Sequence, residues 1–143
     1  MIKNSRAADL NAIYELEKQF GADAFSKRSL RRFHENGNLL VFLDNQDTII
    51  GSAIVVHRKN SDKVRLYSFV IDQKFRGMGV GKTYLETLLS IQWDAIWMIL
   101  EVSEGNHPAI HVYQKAGFEE IQRIEGYYSD GSSAIKMIKN LKK

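Results

Sequence analysis

The chain of 143 residues contains no cysteine, a single proline and no long apolar run. Without cysteine it can form neither disulfides nor thiolate metal sites, and no cysteine can carry a covalent acyl group. The longest apolar run, residues 95–100, is far shorter than the ~20 residues that span a bilayer. The first residues are polar and lack the apolar centre of a secretion signal. We therefore expect a cytoplasmic protein without a membrane partner.

Neither positive nor negative charge is in large excess. The net charge of +3 at pH 7 suits an anionic ligand, but long basic runs typical of nucleic-acid binding are missing. The length suits one domain with a substantial core, and neither repeats nor proline-rich linkers interrupt it. The sequence thus predicts a single domain over residues 1–143, with no nucleic-acid partner, as a monomer or homodimer.

In the first half of the chain, apolar residues recur at helical spacing in some segments and at the spacing of strands in others. Asp9 is a candidate helix cap, and Gly21 is expected to end that first helix. The further elements predicted before position 72 are a helix over about Ser26 to His34 and three strands, Leu39 to Leu43, Thr48 to His57 and Leu66 to Ile71. This pattern predicts a helix pair followed by an antiparallel meander.

The segment Val70 to Leu89 carries the most informative motif. A strand leads into a basic turn with glycine at alternate positions, and an amphipathic helix follows. Glycine allows close approach of the backbone to a ligand, and the amides of a helix N-terminus favour phosphate. This pattern predicts a pyrophosphate cradle formed by Arg76, Gly77, Met78, Gly79, Val80, Gly81 and Lys82.

Spacing separates the known phosphate loops. A dinucleotide fingerprint fails in both registers, because Lys82 and Tyr84 stand where glycine is needed. A Walker A loop ending at Gly81-Lys82-Thr83 would need glycine at the position of Arg76. The pattern Arg-x-x-Gly-x-Gly does fit, and it resembles the acyl-CoA signature of the GCN5-related N-acetyltransferases (GNAT).

A carboxylate stands near the end of an otherwise apolar strand, Ile96 to Val102. Apolar residues on both faces indicate a central, covered strand, where the ionised Glu101 must be paired or near water. Two interpretations stay open. Glu101 is either a strand-end carboxylate that reaches solvent or a neighbouring lysine, or a general base at the mouth of a cleft.

A helix with an apolar face should follow from Pro108, and Gly117 is its expected C-cap. Tyr113 falls on the apolar face of this helix. The chain then ends in two predicted strands, Phe118 to Ile124 and Ser133 to Leu141, joined by a turn containing Tyr127 and Tyr128. These tyrosines are either packing residues or an aromatic wall for a bound peptide. His107 and His111 lack a third metal ligand, so we expect no metal site.

A second block strengthens the resemblance. The series Leu100, Val102, Asn106, Ala109, Tyr113, Gly117 and Phe118 is similar to the second conserved block of the GNAT superfamily, in the expected order after the cradle. Over nearly its full length the chain therefore resembles a GNAT enzyme. Glu101, Tyr113 and the turn Gly-Tyr-Tyr-Ser-Asp-Gly look most like bacterial ribosomal-protein-alanine N-acetyltransferases. Gln73 departs from the proline that is frequent in the family.

The resemblance implies an α+β fold in α/β/α layers, with a mixed, mostly antiparallel sheet, flanking helices and two splayed central strands. It implies acetyl-CoA as the acetyl donor, without a metal. Backbone groups of Phe69, Val70 and Ile71 would bind its pantetheine, the cradle its pyrophosphate, and Asn106 would also touch it. Glu101 would accept a proton from the amine, Tyr113 would protonate the departing thiolate, and Tyr127 and Tyr128 would contact the acceptor.

The implied reaction is direct acetyl transfer to a primary amine, with a protein or peptide N-terminus as the favoured acceptor. A small-amine acetyltransferase of the same fold, acting on a polyamine, amino acid or aminoglycoside, is the first alternative. A regulatory acyl-CoA-binding module without catalysis is the second, although the presence of Glu101 and Tyr113 argues against it. A nucleotide hydrolase with a phosphate loop is a third, disfavoured by Arg76.

Overall fold

A computed structural model describes residues 1–142 of the protein. In that range it contains seven strands and four α-helices. The strands are β1 (Ile2–Asn4), β2 (Leu39–Leu43), β3 (Ile49–His57), β4 (Lys63–Ile71), β5 (Trp97–Ser103), β6 (Glu119–Ile124) and β7 (Ala134–Asn140). The helices are α1 (Leu10–Glu17), α2 (Lys27–Glu35), α3 (Val80–Leu89) and α4 (His107–Lys115).

The strands form one mixed sheet in the order β1-β2-β3-β4-β5-β7-β6. The pairs β1–β2, β2–β3, β5–β7 and β6–β7 are antiparallel. Strands β4 and β5 run parallel, in a register from Lys63–Trp97 to Leu66–Leu100. This architecture confirms the expected α+β class with a mostly antiparallel sheet.

The chain divides into two compact units, each built from separate segments. The first comprises residues 1–55 and 68–88. It holds β1, β2, most of β3, the end of β4, and helices α1 to α3. Its core is aliphatic with one large aromatic ring, and its most buried side chains include Ile13, Leu30, Phe42, Ile54, Leu85 and Leu88.

The second unit comprises residues 56–67 and 89–143, of which residue 143 lies outside the described range. The first half of β4 pairs here with β5, which is followed by β7 and β6, and α4 belongs to the same unit. Met98, Ile99 and Leu100 are all buried in β5. The prediction that this strand is central and covered on both faces is therefore confirmed.

Several boundaries differ from those expected. Strand β4 begins at Lys63, three residues before the predicted start, because alternation of Lys63, Arg65 and Tyr67 with buried Val64 and Leu66 continues the strand. Helix α1 ends at Glu17, and a 3-10 segment follows to Asp23 with a kink at Gly21, whose φ is 61°. Within residues 1–142, every helix is too short or too polar to cross a membrane.

The first helix is also capped differently from the prediction. Asp9 does stand at the N-cap of α1, but its carboxylate makes no bond to that helix. It accepts instead from the backbone N–H of Arg6 at 2.8 Å and from the Arg6 guanidinium at 3.0 Å. These bonds close the short 3-10 turn (Ala7–Asp9) that precedes α1.

Candidate functional site

The predicted cradle lies between β4 and α3 in the first unit. A short 3-10 turn (Gln73–Phe75) follows β4, and Asp72 caps it by accepting from the N–H of Lys74 at 3.1 Å. Gly77 and Gly79 then adopt positive φ values of 80° and 74°. Only glycine adopts this conformation without strain. Apart from their chain neighbours, no atom of residues 1–142 lies within 4 Å of where their Cβ atoms would be. The alternate glycines thus shape an open loop.

The loop ends at the N-terminus of α3. Thr83 donates both its N–H and its hydroxyl to the carbonyl of Gly79, at 3.1 and 3.0 Å. The amides that precede Thr83 begin the helix and have no carbonyl one turn earlier to receive them. Their partial positive charge faces the loop, where it favours an anion.

The two cationic side chains of the cradle have different surroundings. Arg76 donates from Nε to the carbonyl of Ile71 at 3.3 Å, so its head is held against the end of β4. Lys82 lies one turn from Glu86, with a separation of 4.0 Å between Nζ and Oε1, and both side chains are largely exposed. Arg76 is therefore oriented by the fold, whereas Lys82 is an exposed surface charge that its weak pair with Glu86 does little to fix.

Gly51 fixes the end of β4 from the neighbouring strand, a contact that sequence patterns did not reveal. A Cβ at this position would lie 2.5 Å from the carbonyl oxygen of Val70 and 2.8 Å from the ring of Phe42. Since real Cβ atoms do not approach so closely, any side chain here would displace β4. Gly51 therefore sets the position of the backbone at Phe69–Ile71, the predicted pantetheine segment.

Glu101 lies on β5 in the second unit, and its side chain is 10% exposed. Its Oε1 accepts from Nη1 of Arg65, on the paired strand β4. The expectation that the carboxylate of Glu101 is paired is therefore confirmed, although its partner is an arginine rather than a lysine or water. The guanidinium of Arg65 also lies over the ring of Tyr67, 5.5 Å from its centroid. Sequence reasoning missed Arg65 because β4 was predicted to begin after it.

Asn106 caps α4. Its side-chain oxygen accepts from the N–H of Ala109 at 3.3 Å, and its carbonyl accepts from the N–H of Ile110. Pro108 stands in the first turn, as expected. The residue is exposed, so its amide nitrogen can still meet a ligand while its oxygen holds the helix.

Tyr113 is buried, with 9% of its surface exposed. Its ring packs edge-on against Phe118, with centroids 5.6 Å apart. Burial, and secondarily the nearby Tyr128, raise the pKa of the Tyr113 phenol above its usual value. The phenol therefore stays protonated throughout the physiological range, which makes it a hydrogen-bond donor and a weak acid.

Tyr127 and Tyr128 lie in the turn between β6 and β7. Their rings form an edge-to-face pair with centroids 5.0 Å apart. The turn is closed by bonds between Tyr128 and Ser132 and between Gly131 and Tyr128, at 3.1 and 2.9 Å. Tyr127 is 47% exposed, so part of the pair is accessible to an acceptor, as the aromatic-wall interpretation requires.

Glu17 is a buried carboxylate that the sequence did not single out. Only 1% of it is exposed, at the end of α1 in the first unit. Its two oxygens accept from the N–H of Phe25 at 3.3 Å and from the hydroxyl of Ser68 at 3.0 Å. Burial raises the pKa of Glu17, and these two bonds partly oppose that rise. Its place on the apolar face of α1 was the available signal, since Ile13 and Leu16 share that face.

Comparisons with known proteins agree with the motif assignments. Residues 10–118 match the family described as "Acetyltransferase (GNAT) family". The "N-alpha-acetyltransferase" of Sulfurisphaera tokodaii is 32% identical over 78 residues, which cover 52% of this chain and 47% of that protein. The chain thus spans about half the length of the first curated relatives that it matches.

Two further comparisons extend over nearly the whole chain. The ribosomal protein bS18-alanine N-acetyltransferase of Haemophilus ducreyi is 29% identical over 136 residues, covering 92% of each protein. A solved spermidine N-acetyltransferase mutant from Vibrio cholerae has a TM-score of 0.87 at 16% identity, covering all of this chain and 96% of that one. The last comparison shows the fold alone.

Proposed function

Because the chain belongs to the acetyltransferase (GNAT) family, we propose that it transfers an acetyl group from acetyl-CoA to a primary amine. The favoured acceptor is the N-terminal α-amine of a protein or peptide. The observation that carries the donor assignment is the open loop of Gly77 and Gly79 leading into the N-terminus of α3. An anionic diphosphate fits this loop, whose glycines leave room and whose helix amides supply donors.

The residues that would hold the donor follow from this fit. The amides from Gly77 to Lys82 would bind the pyrophosphate, and Arg76 would add a charge that Ile71 already orients. The backbone of Phe69–Ile71 would pair with the pantetheine amides, and its N–H groups would stabilise the thioester oxygen as negative charge develops. Asn106 would contribute its amide nitrogen. Bound acetyl-CoA supplies the activated thioester.

The acceptor amine must lose a proton, because only a neutral amine attacks a thioester. We assign that proton to Glu101, directly or through a water molecule. Its carboxylate is mostly buried, and Arg65 holds it in a fixed orientation. A carboxylate held in one orientation can meet the amine, or a bridging water molecule, in a defined geometry.

Tyr113 would stabilise the departing sulfur. Burial keeps its phenol protonated, so it can donate a hydrogen bond to the thiolate as the C–S bond breaks. The thiol of coenzyme A resembles that of cysteine, with a pKa of roughly 8.5, below the ~10 of an ordinary tyrosine. Since the pKa of Tyr113 is higher still, complete proton loss is unfavourable, and the hydrogen bond supplies most of the stabilisation.

The preference for an N-terminal amine rests on the relatives and on the exposed aromatic pair. The S. tokodaii protein is named an N-alpha-acetyltransferase, and the H. ducreyi protein a ribosomal protein bS18-alanine N-acetyltransferase. Tyr127 with Tyr128 offers an aromatic wall to a peptide. A small polyamine acceptor remains the competing assignment, because the spermidine enzyme shares the fold.

The test is mass-spectrometric detection of acetylation in a pooled peptide library with varied first residues, supplied with acetyl-CoA and common small amines. Acetylation confined to peptide α-amines, strongest for those beginning with alanine or serine, is the expected result. Modification of spermidine or other small amines alone would overturn the acceptor assignment while leaving the donor. Binding of acetyl-CoA without transfer to any amine would support a regulatory module instead.

A further inference from the structure

A small basic cavity adjoins the Arg65–Glu101 pair in the second unit. Its volume is about 260 Å³, below the ~300–1,000 Å³ usual for sites that enclose a drug-sized ligand. Three of its lining side chains are cationic and none is acidic. The lining residues are Val56, Arg58, Ser61, Lys63, Arg65, Tyr67 and Ile99. Its size and charge suit a single anionic side chain.

The backbone around the cavity is well defined. Strand β4 projects Lys63, Arg65 and Tyr67 on one face, since alternate residues of a strand share a side. The preceding loop is closed by a bond from the N–H of Ser61 to the carbonyl of Arg58 at 3.1 Å, and a ring nitrogen of His57 lies 2.8 Å from the Ser61 carbonyl. These bonds hold Arg58 beside the strand.

The positive charge of the cavity is only partly neutralised. Lys63 pairs with the neighbouring Asp62 at 3.0 Å, but both side chains are about half exposed, so water weakens this pair. Among the described residues, Arg58 has no carboxylate within ion-pair distance. Arg65 donates one N–H to Glu101, and a guanidinium has five N–H donors. Donors remain for a second carboxylate.

We propose that this cavity binds an acidic side chain close to the α-amine of the acceptor, so that the enzyme prefers peptides with aspartate or glutamate near their N-terminus. This inference rests on the proposed N-terminal acetyltransferase function and specifies its substrate class. Arg65 is the link between specificity and chemistry. Its guanidinium would bind the acidic side chain through N–H groups that Glu101 leaves unused, so the first residues of the acceptor would lie beside the proposed base.

The proposal is tested with matched peptides that carry either aspartate or asparagine at position 1, 2 or 3. The two side chains have the same shape and differ in charge. For the preferred position, the wild-type enzyme should show a kcat/KM about three- to tenfold higher for the aspartate peptide, the range of a partly buried charge-assisted bond. Added salt should reduce this ratio, because it screens the attraction.

Arg58→Ala and Lys63→Ala are the informative variants, since both side chains lie at the exposed rim. Each should bring the aspartate-to-asparagine ratio towards one, mainly through KM. Lys59→Ala is the matched control, because it removes the same charge from the adjacent position outside the cavity lining and should keep the wild-type ratio. Arg65 is not the first choice, as its removal would leave Glu101 buried without its partner.

A wild-type ratio of one at all three positions would overturn the inference and leave the proposed function intact. The same conclusion follows if Arg58→Ala and Lys63→Ala, confirmed as folded by thermal unfolding, keep the wild-type ratio. Failure to acetylate any peptide, while small amines are acetylated, would overturn the proposed acceptor and this inference with it.

Discussion

The carboxylate of Glu17 accepts a hydrogen bond from the hydroxyl of Ser68 at 3.0 Å, across 51 positions of sequence. The bond joins the end of α1 to β4, at the residue before the predicted pantetheine segment. The other oxygen of Glu17 accepts from the N–H of Phe25. Within the first unit, one buried carboxylate thus links the end of α1 both to the segment that follows this helix and to strand β4.

This carboxylate should make the stability of the protein depend on pH. Burial raises the pKa of Glu17 in the folded state, whereas in the unfolded chain this pKa is about 4.3. Between these two values the folded state binds more protons, so the free energy of unfolding falls as pH rises through that window. The stabilisation is fully present below about pH 4.3.

Glu17→Gln should remove this pH dependence while preserving the side-chain shape. Urea unfolding of wild type and variant at a series of pH values from 4 upward measures the difference directly. The free energy of unfolding of the wild type relative to Glu17→Gln should decline with rising pH. Glu15→Gln is the control, because that carboxylate is on the same helix and exposed. Parallel curves for wild type and Glu17→Gln would contradict the assignment.

Gly81→Ala should separate ligand binding from stability. A Cβ at Gly81 would meet Ile71 at an ordinary contact distance of 3.8 Å, and Gly81 lies in the first turn of α3. Alanine favours a helix over glycine by up to about 1 kcal/mol, so stability should hold or rise. The affinity for acetyl-CoA should nevertheless fall about tenfold, or ~1.4 kcal/mol, because the methyl group enters the cradle.

Gly79→Ala provides the contrast. Its φ of 74° is unfavourable for alanine by on the order of 1–2 kcal/mol, so this variant should lose both stability and affinity. Calorimetric titration with acetyl-CoA and thermal unfolding give the two quantities for each variant. If Gly81→Ala bound acetyl-CoA like the wild type, the pyrophosphate could not lie against the start of α3.

Local signals explain why the cradle and α4 could be predicted from sequence. Glycine spacing and the proline at position 108 each act within one turn of chain, and the structure has both in their expected places. The start of β4 was predicted too late because Lys63 and Arg65 are charged, although their alternation with Val64 and Leu66 is that of a strand with one exposed face.

Long-range relationships could not be predicted in this way. The partner of Glu101 depends on the register of β4 against β5, which pairs Arg65 with Ile99, and no local pattern fixes that register. In the sequence Gly51 is an ordinary strand glycine, and only the structure shows that β4 packs closely against it. The position of Glu17 on the apolar face of α1 indicates burial, but only the folded structure shows Ser68 and Phe25 around it.

Glu101→Gln should lower the rate of acetylation most strongly at low pH. A glutamine keeps the shape and can still contact Arg65, but it cannot accept a proton. At low pH few acceptor amines are neutral, so reaction depends on a base. At high pH more amines are already neutral, and the loss should shrink. Single-turnover rates at a series of pH values test this. A constant ratio of wild-type to variant rates would point to another base.

Tyr113→Phe should lower kcat by about 10²–10³-fold, the range for removing one donor to a developing anion. The ring, and thus its contact with Phe118, is retained, so acetyl-CoA affinity should change little. Tyr14→Phe is the control, because that tyrosine lies on α1 with its ring beside Lys18 and Lys27 and takes no part in the proposed chemistry.

The decisive measurement compares acetyl-CoA with an acetyl thioester of a more acidic thiol. A better leaving group needs less stabilisation, so the defect of Tyr113→Phe should shrink with it. An equal defect for both donors would show that Tyr113 acts elsewhere than on the departing sulfur.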